Sequence, residues 1–119
     1  MLPFKNRLTK RRDIEKLQKF GEFFSEANIA VKSAKNGLSE TRIGVAAGLK
    51  FSKKAVERNL VKRQLREMIQ KMLPNIKKGF DVLVMIRKKE DERVRVEKLE
   101  KNLKQVLQKS GLFEAKNNL

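Results

Sequence analysis

Along residues 52–73 the apolar and charged positions separate at the period of an α-helix. At about 100° per residue, Val61, Leu65, Met68, Ile69 and Met72 share one side, while Arg58, Asn59, Lys62, Arg63 and Arg66 share the other. The spacing predicts a helix that packs by one face and presents charge on the opposite one. Ser52 is the candidate N-cap, because its hydroxyl can accept from an unpaired backbone N–H; Pro74 ends the pattern, because its ring cannot continue a helix.

Residues 1–7 read as an extended, mobile arm with Pro3 and Phe4 able to lie across a neighbouring surface. Thr9 is placed to cap a first helix that runs to about Phe20, with Ile14, Leu17 and either Phe20 or Gly21 marking its inward side and its end. Phe20, Phe23 and Phe24, taken singly, read as core or helix-end packing. Weak alternation over residues 28–34 predicts a first strand closed by the turn Lys35-Asn36-Gly37. Residues 41–51 predict a second strand region with a short third strand at 49–51. The small residues Gly44, Ala46, Ala47 and Gly48 permit close approach of another backbone or a ligand, or mark a bulge.

The near-continuous apolar run within residues 79–89 predicts a strand central in a sheet. Beyond the charged loop of Glu90, Asp91, Glu92 and Arg93, the positions Val96, Leu99, Leu103, Val106 and Leu107 predict a last amphipathic helix ending near Ser110-Gly111, followed by a mobile tail at 114–119. Glu97, Lys98, Glu100 and Lys101 balance one another, so this helix reads as structural. The pattern as a whole predicts one α+β domain over residues 1–119, a sandwich of a mostly four-stranded sheet with helices on one side of it.

Composition narrows the class of partner. Lys plus Arg number 30 and Asp plus Glu 14, a net charge of +16 on 119 residues spread along the chain. Between Lys53 and Arg66 six basic residues face only Glu57, with Glu67 just beyond. Like charges at i,i+4, as in Arg58, Lys62 and Arg66, each cost a few tenths of a kcal/mol in an isolated helix, a sign that phosphates among them would reverse. Nucleic acid is the first partner to consider and an anionic membrane surface the second. No apolar run approaches the roughly 20 residues of a spanning helix, and the N-terminal residues lack the apolar core of a signal peptide. The absence of Cys fits the cytosol. With no His, Cys or Tyr, the usual general base, thiol nucleophile and imidazole ligand are missing, and the acidic residues form no second cluster for a two-metal site. The chain reads as a binder without an active site of its own.

The string AVERNLVKRQLRE resembles the signature helix of the bacterial ribonuclease P protein component, whose pattern is approximately A-V-x-R-N-R-x-x-K-R-x-x-R. Ala55, Val56, Arg58, Asn59, Lys62, Arg63 and Arg66 supply the matching positions, and Leu60 replaces the third residue of the R-N-R triplet. On the helical wheel Leu60 lies away from both the Arg58 to Arg66 stripe and the centre of the apolar stripe. RLTKRRDIEKLQKFG is similar to the family's opening helix, in which aromatic residues one turn apart face the cleft for the precursor-tRNA 5′ leader; Ile14 and Gln18 hold those places here, with aromatic character moved to Phe20, Phe23 and Phe24. The family's R-x-G-x-x-x-S-K-K is matched at Arg42, Gly44 and Lys50, and its basic strand end at Arg87, followed by Lys88 where Pro is common.

The resemblance spans roughly residues 7–113. It implies a fold like domain 2 of ribosomal protein S5, with a left-handed crossover, and the role of RNA-binding subunit in a ribonucleoprotein endonuclease that removes tRNA 5′ leaders. By the same resemblance Arg58, Asn59, Lys62, Arg63 and Arg66 bind the catalytic RNA, which holds the Mg²⁺ ions. Ile14, Lys32, Lys50 and Arg87 bind the leader of precursor tRNA, largely through its backbone because strong stacking residues are lacking. The expected assembly is cytoplasmic, one protein monomer on one RNA subunit, with no membrane. The alternative is a ribosomal or RNA-chaperone protein that organises structured RNA, which charge and the basic helix fit equally well. A duplex-DNA reader using residues 52–73 is weaker, since no second helix stands a short turn before it.

Overall fold

The structure, a computed structural model, describes residues 2–87 and 95–113, with residues 95 and 96 described in backbone only. Its elements are a 3₁₀ turn at Phe4–Asn6, α1 (Arg11–Phe20), β1 (Glu22–Glu26), β2 (Ile29–Lys35), β3 (Arg42–Ala47), α2 (Ala55–Met72), a 3₁₀ turn at Leu73–Asn75, β4 (Phe80–Ile86) and α3 (Arg95–Lys109). The four strands form one sheet in the order β1-β2-β4-β3, antiparallel except for the parallel pair β3–β4. Parallel neighbours cannot be joined by a hairpin, so the chain passes through α2 between them.

Register divides the side chains between two faces. Ile29, Val31, Ile43, Val82, Val84 and Ile86 point to the face covered by α2 and α3 and form the main core with Val61, Leu65, Ile69, Leu99, Leu103 and Leu107. Lys32, Leu83 and Gly44 form a row on the opposite face, where Leu83 packs with Leu8 and Leu17 and with the half-buried Ile14. Helices therefore lie on both faces, not on one, because β4 carries apolar side chains to both sides and each must be covered. The central place of β4 agrees with its uninterrupted apolar run.

All five apolar positions predicted for the packing side of α2 are buried. At roughly 1.5 to 3 kcal/mol per buried side chain, that seam fixes the helix rotation and so fixes which side remains wet. Along α3, Leu99, Leu103, Val106 and Leu107 are buried as the periodicity requires. Gly111, at φ 78°, ends α3: its N–H reaches the Gln108 carbonyl at 3.0 Å and the Leu112 N–H reaches that of Leu107 at 3.0 Å, with Leu112 buried beneath.

Several expectations are corrected. Residues 22–26 form a strand that propensity did not reveal, so the strand predicted at 28–34 is the second, and its hairpin partner supplies the pairing. No strand exists at 49–51. That stretch is a turn, closed by the Phe51 N–H on the Gly48 carbonyl at 3.0 Å, which drops Phe51 into the core. The caps also move: α1 begins after Lys10, because Leu8 is held in a backbone bond to Ile43, and α2 begins after Lys54. Ser52 Oγ instead accepts from the Lys54 N–H at 3.0 Å and donates to the Glu57 carboxylate, organising the approach to the helix.

The N-terminal residues are not an extended arm lying on Pro3 and Phe4. They turn at Phe4–Asn6, bury Leu2 and anchor through Asn6, whose Nδ2 donates to the Thr41 carbonyl at 2.9 Å. Arg7 bridges to Ile43, and the close approach that small residues allow is realised at Gly44, where a Cβ would stand 3.2 Å from the Leu8 carbonyl oxygen. The loop of Glu90, Asp91, Glu92 and Arg93, together with Lys88 and the tail at 114–119, lies outside the described residues.

Candidate nucleic-acid interface

The apolar seam of α2 leaves Arg58, Asn59, Lys62, Arg63 and Arg66 turned away from the core. Asn59, Arg63 and Arg66 are exposed, and Arg58 and Lys62 are half-buried, their stems lying along the protein. Arg58 is tethered: its Nη1 donates to the Ser52 carbonyl at 2.9 Å, holding the guanidinium at the start of the helix. Among the described residues Lys62, Arg63 and Arg66 take part in no ion pair or side-chain hydrogen bond. A cluster of cations without counter-charges among the described residues gives this face a positive potential that attracts anions.

Arg66 also opens into a cleft of about 380 Å³ at the edge of β3, lined among others by Arg7, Thr9, Ile14, Gln18, Gly44 and Ala46. The cleft exists because Gly44 admits the 7–9 segment onto β3 while α1 crosses above it. Ile14 thus meets one member of the basic helix face, a junction that helix periodicity alone does not reveal.

The four residues expected to share one leader site are spread out. Ile14 lines the β3-edge cleft. Lys32 lies on the adjoining sheet surface, its Nζ donating to the Gln18 carbonyl near the end of α1. Lys50 and Arg87 come together in a separate depression with Ala27 and Asn28. Arg87 follows β4 four residues beyond Leu83, the register partner of Lys32, which at about 3.3 Å per residue is roughly 13 Å. Strand parity puts Lys32 and Arg87 on the same side of the sheet, while Ile14 stands on α1 and Lys50 in the turn after β3, so the four line no single pocket among the described residues.

Two further features escaped sequence reading. Arg7 joins the cleft, its Nε held by the Leu2 carbonyl at 2.8 Å. Phe20 and Phe23 are 76% and 52% exposed, against the expectation of core or helix-end packing, whereas Phe24 does pack on the main core. Recognising β1 would have separated Phe23 from Phe24, since neighbours in a strand face opposite ways.

Two acidic groups beside the cleft, Asp13 and Asp81, are committed to structure. Arg42 bridges α1 to the sheet, with Nη1 3.3 Å from Asp13 and Nη2 2.7 Å from Asp81. Its pKa is raised above an already high ordinary value, chiefly by the hydrogen bond to Asp81 and against the effect of burial. Among the described residues no group of three or more Asp, Glu, His or Cys is placed to hold a metal ion, and no helix is long and apolar enough to cross a membrane.

Comparison with known proteins places the chain in a family. The family model described as Ribonuclease P matches residues 2–111. The ribonuclease P protein component of Thermotoga petrophila is 41% identical over 88 residues, covering 74% of each chain, and that of Microcystis aeruginosa is 31% identical over 116 residues, covering 94% of this chain and 96% of the relative. The solved RNase P protein of Thermotoga maritima superposes with a TM-score of 0.73 at 28% identity, covering 87% of this chain and 96% of that one. The fold is shared with the Staphylococcus aureus RNase P protein, at a TM-score of 0.80, 24% identity and coverage of 92% and 98%. A bare basic helix face, the cleft it borders and a family match along nearly the whole length lead to one conclusion: the chain belongs to the ribonuclease P family, as a bacterial ribonuclease P protein component.

Proposed function

We propose that the chain is the RNA-binding subunit of a ribonucleoprotein endonuclease that removes the 5′ leader from precursor tRNA, with the catalytic groups and the Mg²⁺ ions belonging to the RNA subunit. The observation that carries this reading is the α2 face, where Lys62, Arg63 and Arg66 stand without partners among the described residues and Arg66 borders the Ile14 cleft. Arg58, Asn59, Lys62, Arg63 and Arg66 bind the RNA subunit; Ile14, Lys32, Lys50 and Arg87 line a track for the single-stranded leader.

The mechanism on the protein side is electrostatic and positional. Each phosphate neutralised releases condensed counterions, which lowers the repulsion between two polyanions and the Mg²⁺ needed to bring them together. Arginine adds planar, two-point phosphate contacts that lysine does not make. Tethering Arg58 to Ser52 orders one guanidinium in advance, so less side-chain entropy is lost on binding. No proton transfer or nucleophilic step is assigned to a protein side chain. The complex works in the cytoplasm as one protein monomer on one RNA subunit.

The test is cleavage of precursor tRNA by the cognate RNA subunit at low, near-physiological Mg²⁺, with each component alone as control. Cleavage at the mature 5′ end only when both are present supports the reading. Tight RNA binding that never rescues cleavage transfers the chain to the ribosomal or chaperone class.

A further inference from the structure

Phe23 belongs to neither hydrophobic cluster. It is next to Phe24 in an edge strand, so the two rings face opposite ways: Phe24 packs on the main core, and Phe23 emerges on the α1 side of the sheet. There α1 stops at Phe20 and the chain turns back through Gly21, leaving Phe23 52% exposed. Its cross-strand partner is Lys32, whose ammonium is held in place by the Gln18 carbonyl. The next row across the sheet is Ser25, Ala30 and Met85, with Ala30 buried and Ser25 and Met85 half-buried, and beyond it lie Lys50 and Arg87.

An isolated exposed aromatic is by itself unremarkable. Here a fixed cation sits directly opposite the ring and a second cationic pair stands at the far end of the same face, in a chain of net charge +16. A docking protein would need an apolar patch, whereas the cross-strand partner of Phe23 is Lys32 and the next residue of β1 on this face is Ser25 with its hydroxyl. Single-stranded RNA meets both requirements, offering a π-face to the ring and phosphates to the cations.

We propose that Phe23 is a base-stacking residue for the single-stranded leader, seating one base beside Lys32 while the backbone continues toward Lys50 and Arg87. This rests on the leader-binding function proposed above and adds to it an aromatic contact in place of those that Ile14 and Gln18 replace on α1. Because every base has a π-face, the contact confers affinity for an unpaired strand with little base preference.

The experiment uses the assembled protein and RNA subunit with precursor tRNA carrying 2-aminopurine at successive leader positions, and leaderless tRNA as reference. Phe23→Ala is expected to weaken binding of the leader-bearing substrate by roughly 5- to 100-fold and to relieve 2-aminopurine quenching at one leader position, leaving leaderless tRNA unaffected. Phe23→Trp should restore both, and Phe23→Leu, which keeps an apolar side chain on the edge strand, should restore neither. Equal leader affinity for wild type, Phe23→Ala and Phe23→Leu, in an assembly that still cleaves, overturns the stacking role and leaves the RNA-subunit reading standing. Failure of the wild-type protein to support cleavage overturns both.

Discussion

Arg42 and Asp81 make a two-point contact across the parallel β3–β4 pair. Nε donates to Oδ1 at 2.8 Å and Nη2 to Oδ2 at 2.7 Å between residues that are also direct register partners. Asn36 adds its Nδ2 to Asp81 Oδ1 at 3.0 Å, and Asp13 of α1 closes on the free side of the guanidinium. One arginine thus ties the parallel strand pair, the β2–β3 turn and the helix that walls the β3-edge cleft.

Replacing Arg42 by Ala is expected to cost about 1 to 3 kcal/mol in urea unfolding, because Asp81 is left partly buried with its main partner removed. Arg42→Lys should recover only part of it, since an ammonium cannot make the two-point contact. The raised pKa means that Arg42's contribution is complete at every pH below the ordinary guanidinium range and is lost only as pH rises through the still higher folded value. Its contribution should therefore not vary between mildly acidic and mildly alkaline buffers. A mutant-to-wild-type difference that fell on going from pH 7 to pH 9 would contradict this assignment.

Substituting Arg58, Lys62 and Arg66 together by Ala should weaken binding to the RNA subunit and reduce the slope of log K against log salt by up to about 2 to 3. The three are not equivalent. Arg58→Ala should also lower stability by about 1 kcal/mol through loss of its bond to Ser52, while Lys62→Ala and Arg66→Ala should leave the unfolding midpoint near that of wild type. An unchanged slope in the triple variant removes this face from the interface.

Leu60 is 39% exposed and belongs to neither core cluster. Leu60→Arg is accordingly expected to change stability by no more than about 0.5 kcal/mol. A salt slope steeper by about 1 would put the new cation on RNA. A large loss of stability would show instead that Leu60 packs.

Gly21 and Gly48 form a matched pair. A Cβ at Gly21 would fall 2.6 Å from the Leu17 carbonyl oxygen and 3.3 Å from Lys32 Cβ, so Gly21→Ala should push the end of α1 off β2 and cost about 1 to 3 kcal/mol. Gly48 has open space around its would-be Cβ, and Gly48→Ala should be neutral or stabilising by up to about 1 kcal/mol. Thermal melts of the two variants compare them directly.

The parts of the fold most legible beforehand were those with a long period. Eighteen residues of α2 and fifteen of α3 carry enough repeats for the apolar seam to be unambiguous, and β4 announced its central place by being apolar on both sides. Short elements were not legible. The five residues of β1, Glu-Phe-Phe-Ser-Glu, show no alternation because the edge strand buries only one ring. The turn at 48–52 looked like a strand because Phe51 is apolar for a tertiary reason, its place in the core.

The sequence by itself determined that α2 has one packing face and one bare cationic face, that the chain carries +16, and that it lacks His, Cys and Tyr. These follow from local periodicity and composition, which need no partner in space. Only the tertiary structure decided where the cleft lies, that Arg66 meets Ile14 while Lys50 meets Arg87, and that Phe23 is bare while Phe24 is covered. Those outcomes depend on strand register and on the way α1 crosses the sheet, set by contacts such as Arg42 with Asp81 and Leu8 with Gly44 that join residues dozens of positions apart.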